Sequence, residues 1–401
     1  MNELEPREID ATPEIRAAIE SLGRCEDVSF SPDGARLAIA AFGLGQVAVL
    51  DIGRTAEPTA PMPITGFTTI SSAQFVKPHG VAFIGNRLMV ADRETGVFAF
   101  DAPQPVLGVS AADAAPSFVL PTDAPVRIAS AGSVRVAALD DGIFEVVVCS
   151  NYLQRLTRHF VDTQEMRSLC NEILLTGGHL HMPDGVAISN DRRWLAVASP
   201  QVSSVLIYDF AADFTPTTVP AARIPCGSNP HGLTFTHDDH WLLVADADLP
   251  NMHVLGCGSG WGGGDGPQQT IRVTDDATYA LFSDTPGEGG PKGVAVHPDG
   301  RLVAVCAQTW PLRFYSLTQL TGTQLTGSDG TATPHSAHPP RRVLADTIAR
   351  NARFADEIRW RQRAMADHVA ALAERDRKLA VLEQLVERRL LGDQDPAATE
   401  A

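Results

Sequence analysis

Apolar positions recur along this chain in a fixed phrase: a small-polar pair, an apolar strand, a Gly or Asp-Gly turn, and two further apolar strands. The copies read EDVSFSPDGARLAIAAFGLGQVAVLDI from Glu26, HGVAFIGNRLMVADRETGVFAFD from His79 and DGVAISNDRRWLAVASPQVSSVLIYDF from Asp184. Two more read HGLTFTHDDHWLLVADADLPNMHVL from His231 and KGVAVHPDGRLVAVCAQTWPLRFYSL from Lys292. Alternation of apolar and polar residues between Asp-Gly turns is the period-two signal of strands. Several short strands per copy, at a spacing of roughly 40–50 residues, predict a β-propeller. The anchors are the apolar residues that open the first strands, Val28, Val81, Val186, Leu233 and Val294. Val81 and Val186 lie two periods apart, so a degenerate copy is expected between them. SVRVAALDDGIFEVVVCSNYLQRLTRHF from Ser133 fits, with Val136 as anchor and Asp141-Gly142 as turn. The expected fold is all-β, a six-bladed propeller; residues 102–130 and 256–290 are long enough to hold a seventh blade.

Around the repeats the pattern changes. Residues 1–24 form an acidic, helical N-terminal segment, and the propeller spans 25–317. Outer strands are expected at ITGFTTI from Ile64, PTTVPAARIP from Pro216 and RRVLADTI from Arg341, so the last outer strand reaches into 341–348. The glycine-rich stretch 256–268 lacks the spacing of a phosphate-cradling loop and reads as a surface loop around Trp261. Residues 318–340 are rich in Thr, Gly, Ser and Pro and read as a linker. Residues 341–391 contain no Gly or Pro, which predicts a long helix. Ile358, Met365, Leu372, Leu379 and Val386 recur every seven positions, a coiled-coil seam whose companion positions are half polar. Residues 392–401 read as a disordered tail.

Composition narrows the function classes. The 401 residues are 44% apolar, enough for a large core. A net charge of −16 without a basic stripe argues against nucleic acid. Segment 341–391 carries 12 Lys/Arg and 8 Asp/Glu, a net +4, which leaves −20 on the rest. A cationic helix beside an anionic body would dock on that body or join copies into a homo-oligomer. The N-terminus has no apolar core of a signal peptide and no apolar run reaches membrane-span length, so a cytoplasmic protein is expected. Six dispersed cysteines with no Cys-x-x-Cys then read as free thiols.

The candidate chemistry lies two residues before each anchor. In a propeller the innermost strands line the tunnel, so these positions ring its mouth. The ring reads Glu26, His79, Val134 or Arg135 in the degenerate blade, Asp184, His231 and Lys292. With six blades, Glu26 would face Asp184, His79 would face His231, and Lys292 the degenerate blade. Two imidazoles and two carboxylates on one axis suit zinc, manganese or iron better than calcium, which prefers oxygen donors. The ends of the second strands add Asp92, Ser150 with Asn151, Ser199, and Asp246 with Asp248; His179 and His181 sit on a nearby loop. Asp92 or Asp246 would act as general base and Lys292 would hold an anionic group. Asp33, Asp238 and Asp299 lie in hairpin turns and read as structural.

On these residues the chain resembles the six-bladed regucalcin/gluconolactonase superfamily, and its Ser-Pro-Asp-Gly repeats are similar to surface-layer-type (YVTN/NHL-like) propellers. Pro183-Asp184-Gly185-Val186 is similar to the family's metal-binding aspartate motif, and Glu26 to its first-blade metal glutamate. His79 and His231 stand where that family has asparagines, and Asp184 falls one blade early. The resemblance covers residues 25–318 and implies a metal-dependent hydrolase of a small lactone or ester, with Glu26, His79, Asp184 and His231 holding the ion. The tail AERDRKLAVLE looks like helices appended to bacterial surface-polysaccharide proteins, which implies the alternative: a non-catalytic scaffold that binds a protein partner and assembles through 341–391. A metal-dependent lyase on the same ring is a third reading, and a metal-free acid/base pair of Glu26 and His79 a fourth.

Overall fold

The structure is a computed structural model, and its residues group into two compact units, 1–342 and 343–401. It describes residues 4–322 except 55–59, 122–125, 141, 211–213, 258–260, 262–265, 283 and 286, then residues 344–349 and scattered positions from 352 to 380.

The first unit is a propeller of six sheets, each built on antiparallel strands. Blade 1 runs Asp27–Phe30, Arg36–Ala41, Gln46–Ile52 and Met62–Ser71 from tunnel to rim. Blade 2 has Pro78–Ile84, Arg87–Asp92, Gly96–Asp101 and a short Phe118–Val119, while Gly108–Asp113 joins the outer strand of blade 1 in parallel. Blade 3 is Ala131–Asp140, Ile143–Ser150, Arg155–Asp162 and Arg167–Thr176. Blade 4 is Val186–Ile188, Trp194–Ser199, Ser204–Asp209 and Ala222–Pro225; blade 5 is Pro230–Phe235, Trp241–Asp246, Asn251–Gly256 and Gln269–Arg272. Blade 6 has Pro291–Val296, Leu302–Ala307 and Arg313–Ser316. Each inner strand touches the next, and that of blade 6 closes on that of blade 1. The stretches 102–130 and 256–290 hold outer strands and the helix Asp276–Ala280, so the circle has six blades.

The middle strands read as near-continuous apolar runs, such as Leu37-Ala38-Ile39-Ala40-Ala41, because both faces of a blade are covered by neighbours. Six buried clusters result, one in each interface between consecutive blades. The circle is closed by the N-terminus. Leu4 N donates to Arg272 O in blade 5, Arg7 bridges Phe314 in blade 6, and Ile9 pairs with Met62 in blade 1. The helix Pro13–Glu20 follows, started by Thr12 as N-cap and Pro13 in its first turn. Ile15 and Ile19 bury in the blade 1–blade 6 core, each contributing about 1.5–3 kcal/mol.

The hairpin turns at the far end of the blades repeat a local bond. Ser31 Oγ donates to Asp33, Ser189 Oγ to Asp191 and Thr236 Oγ1 to Asp238, which explains the Ser-x-Asp spelling of the repeats. Trp261 departs from expectation: it is buried against Phe235, ring centroids 5.7 Å apart. In place of a last outer strand, residues 344–349 are helical. The described positions at 352, 365–366, 369, 372–373, 377 and 379–380 are helical too. Ile358 and Val386 of the seam, most of the linker and residues 392–401 lie outside the described residues, and the described residues show no coiled coil. Among the described residues no helix is long and apolar enough to cross a membrane. None of the six cysteines forms a disulfide.

Candidate metal centre

A β-bulge aims three of the ring side chains, His79, His231 and Lys292. In blade 2 the ladder pairs Pro78 with Asp92 and Gly80 with Ala91, leaving His79 out of register. The same irregularity lies between Pro230 and Leu233, which frees His231, and between Pro291 and Gly293, which frees Lys292. A bulged residue leaves the ladder and re-aims its side chain, here toward the tunnel axis. The glycine that follows lets the next blade close in. A Cβ on Gly232 would overlap the Lys292 carbonyl, and one on Gly293 would lie 2.6 Å from the Asp27 Cα.

Blade 3 corrects the expected ring. Its bulge falls between Ala131 and Ser133, so Val134 is the anchor and Gly132 holds the ring position, rather than Val134 or Arg135. Asn151 and Asp184 fill the space a side chain there would take. Arg135 lies deeper along the same strand and ties blades together by donating to Val186 O and Leu233 O at 2.9 and 2.7 Å. Asp27 does the same from blade 1, accepting from Val81 N at 3.1 Å; burial raises its carboxyl to about 6 against the pull of Arg135.

Glu26, His79, Asp184 and His231 converge at the tunnel mouth, all buried. Glu26 Oε2 lies 3.4 Å from His79 Nε2, 3.4 Å from His231 Nε2 and 3.4 Å from Lys292 Nζ. His231 Nε2 is also 3.3 Å from Asp184 Oδ2, and the two imidazole centroids stand 5.2 Å apart. Each histidine turns Nδ1 toward a backbone carbonyl, His79 to Gly132 and His231 to Lys292. A carbonyl cannot donate, so Nδ1 carries the proton and Nε2 presents its lone pair to the centre. Burial and the Arg93 charge then hold His79 down at about 3, against Glu26 and Asp184. His231 is lowered as well, chiefly by burial. Burial opposes ionisation of Glu26, yet Lys292 and the other cationic neighbours hold it well below the usual carboxylate range. Asp184 is depressed in the same way by His231, Arg93 and the amide of Asn151.

Glu26, His79 and His231 each offer a ligand atom, all within 4.8 Å of one another. The 3.4 Å spacing from carboxylate oxygen to each imidazole nitrogen equals the edge of a tetrahedron with bonds of about 2.1 Å, the usual length to zinc. Glu26 Oε2 is buried without a hydrogen-bond partner, an acceptor facing two further acceptors. A cation at that point would satisfy all three, so the residues present fit the ion.

Other expected residues have different placements. Asp92 accepts from the amides of Val76, Lys77, Glu94 and Thr95, and Asp246 from those of Ser228, Asn229, Asp248 and Leu249 as well as from His253. Both oxygens of each brace loops, and neither residue joins the ring. Lys292 does join it, but is buried, donates to Gly287 O and stands 3.4 and 3.6 Å from carboxylate oxygens of Glu26 and Glu288, so it neutralises carboxylates instead of reaching outward. His179 is exposed, and Ser199 donates to the carbonyl of His181. Three charged residues at the mouth were not anticipated. Arg24 binds Glu26 and Glu288 and stacks over Phe42 at 4.3 Å. Arg93 donates to His79 Nε2 at 2.7 Å and to Asp184 Oδ1 at 3.0 Å. Glu288 rides on a loop tied down by Gly287 N donating to Asp248. Its Oε2, buried and without a hydrogen-bond partner, stands 3.6 Å from Lys292 Nζ.

A cleft of about 480 Å³ lies elsewhere, at the opposite ends of the inner strands of blades 1 and 6, lined by Arg7, Asp33, His297, Asp299 and Arg301 among others. His297 there is tied to Gly34 O, and Asp299 accepts from Arg301 N. Convergent unsatisfied acceptors, not cleft volume, mark the mouth as the candidate.

No family model and no curated protein matches the chain. Among solved structures it is similar to Kuenenia stuttgartiensis hydrazine synthase, over 73% of this chain and 83% of that one, at 14% identity and a TM-score of 0.45. That likeness is too distant to bear on activity.

Proposed function

We propose that the tunnel mouth binds a divalent cation of the zinc, manganese or iron type and hydrolyses a small lactone or ester. The observation that carries this is Glu26 Oε2, buried, without a hydrogen-bond partner and equidistant from two imidazole lone pairs. When bound, such an ion supplies Lewis acidity toward a carbonyl oxygen and toward water. Glu26, His79 and His231 hold it, with the Nδ1 bonds fixing both ring orientations. Asp184, kept ionised, holds Arg93 and is a weak proton acceptor. We assign proton acceptance to Glu288 Oε2, the rim carboxylate oxygen with an open lone pair. Burial of the ring keeps bulk water away from the reacting carbonyl.

The gluconolactonase-type reading draws further support from Glu26 and from Pro183-Asp184-Gly185-Val186, while the two histidines favour a borderline metal over calcium. Metal analysis of purified protein tests the proposal. After reconstitution, about one equivalent of zinc, manganese or iron is expected, and less than about a tenth would reject the site.

One observation favours a second reading, assembly through the C-terminal unit. Met365, Val369, Leu372 and Leu379 are helical and exposed, at the spacing of one apolar stripe. Sizing the chain with and without residues 341–401 tests it; a monomer in both cases would remove it.

A further inference from the structure

We infer that Arg93 and the cation exchange places: the ion enters as the guanidinium swings out, and the displaced guanidinium then receives a carboxylate of the substrate. The inference rests on the metal reading above. His79 Nδ1 is committed to the Gly132 carbonyl, so Nε2 has a single in-plane lone pair. Arg93 Nη2 takes that lone pair at 2.7 Å and lies 3.0 and 3.4 Å from the two oxygens of Asp184. One lone pair cannot accept a hydrogen bond and ligate an ion together, so the two occupants exclude each other.

The surroundings allow the movement. Arg93 N is fixed by Lys77 O at 3.1 Å, and the amides of Glu94 and Thr95 are fixed by Asp92, so the backbone stays put. The side chain is 18% exposed at the rim, and its other nitrogen holds Ser130 Oγ at a long 3.4 Å. With Arg93 inside, three cations (Arg24, Arg93 and Lys292) balance three carboxylates (Glu26, Asp184 and Glu288). A divalent ion in its place carries one charge more, and the guanidinium remains beside the mouth. An anion restores the balance, and a carboxylate matches the planar fork of Arg.

The experiment is a calorimetric titration of the full chain with Mn²⁺, comparing wild type with Arg93→Met, each with and without excess acetate. Removing the competitor should tighten Mn²⁺ binding about tenfold, and Arg93→Lys should fall between. Acetate should tighten Mn²⁺ binding in wild type and leave Arg93→Met unchanged, as linkage through one residue requires. Equal or weaker binding in Arg93→Met, with wild type still binding, would overturn the exchange and leave the metal site standing. An exchange without an acetate effect would overturn the carboxylate assignment. If neither protein binds and both keep the wild-type melting profile, the metal reading itself has failed.

Discussion

Two regions of the propeller bury histidine among charges, and they differ in whether their acceptor atoms are satisfied. In blade 3, Glu145 accepts from Arg158 at 3.2 Å through one oxygen and from Arg192 through the other. Arg158 reaches on to Glu172 at 2.6 Å, and His159 bonds Asn171 at 2.7 Å and Thr157 at 2.9 Å through its two nitrogens. Both oxygens of Glu145 and both nitrogens of His159 have partners. At the tunnel mouth the groups are buried equally deep, yet Glu26 Oε2, Glu288 Oε2 and Asn151 Oδ1 have no hydrogen-bond partner. Burial of charge is therefore a poor marker of function. Unmet bonding capacity within a converging set is the better one.

The comparison breaks most easily at its largest effect. Glu145→Ala leaves Arg158 and Arg192 without their shared carboxylate and should cost about 3–5 kcal/mol of stability, read by urea denaturation. Cation binding per folded molecule should not change. A Glu145→Ala protein that loses the cation would mean the two networks are one. Glu26→Gln should do the reverse, weakening Mn²⁺ or Zn²⁺ at least a hundredfold, or about 2.7 kcal/mol, by calorimetry. Retention of wild-type affinity in Glu26→Gln would remove the distinction between the two regions.

Much of the fold, and five of the six ring positions, can be read from the repeat, because each anchor follows an X-Gly pair or its Glu26-Asp27 equivalent at a near-constant period. Blade 3 misleads for a physical reason. Moving the anchor from Val134 to Val136 is a shift of two, which preserves which residues face which side of the strand. The bulge at Gly132 decides between them, and alternation carries no trace of it. Asp92 and Asp246 look like site carboxylates by position alone. The amides that occupy them come from two separate loops each, a tertiary fact that spacing does not encode. Arg93 and Glu288 are hidden in turn because loop path, not period, brings them to the axis. Trp261 is hidden by the glycines around it, which suggest solvent where the ring is buried.

The smallest effect is a slope, and it reads the protonation states on which the comparison depends. Burial lowers His79 to about 3 and His159 to about 4, so both are neutral when folded and charged when unfolded below their ordinary 6.5. Asp27, raised to about 6, acts in the opposite direction, holding a proton in the folded state that the unfolded chain has released. Between about pH 6 and about pH 5 the unfolded state thus binds two more protons at the histidines and one fewer at Asp27. The net is one, so stability should fall by about 1.4 kcal/mol per unit as pH drops, more steeply where His231 adds to it. His159→Gln should flatten that slope by about the same amount without touching the cation. The cation should raise the whole curve by a near-constant increment, because His79 has no proton to release on binding it. Denaturation at several pH values with and without Mn²⁺ measures this directly. An increment that vanishes between pH 6 and pH 5 would show Nε2–H bonded to Glu26 in place of a free lone pair, and the mouth would then be as satisfied as blade 3.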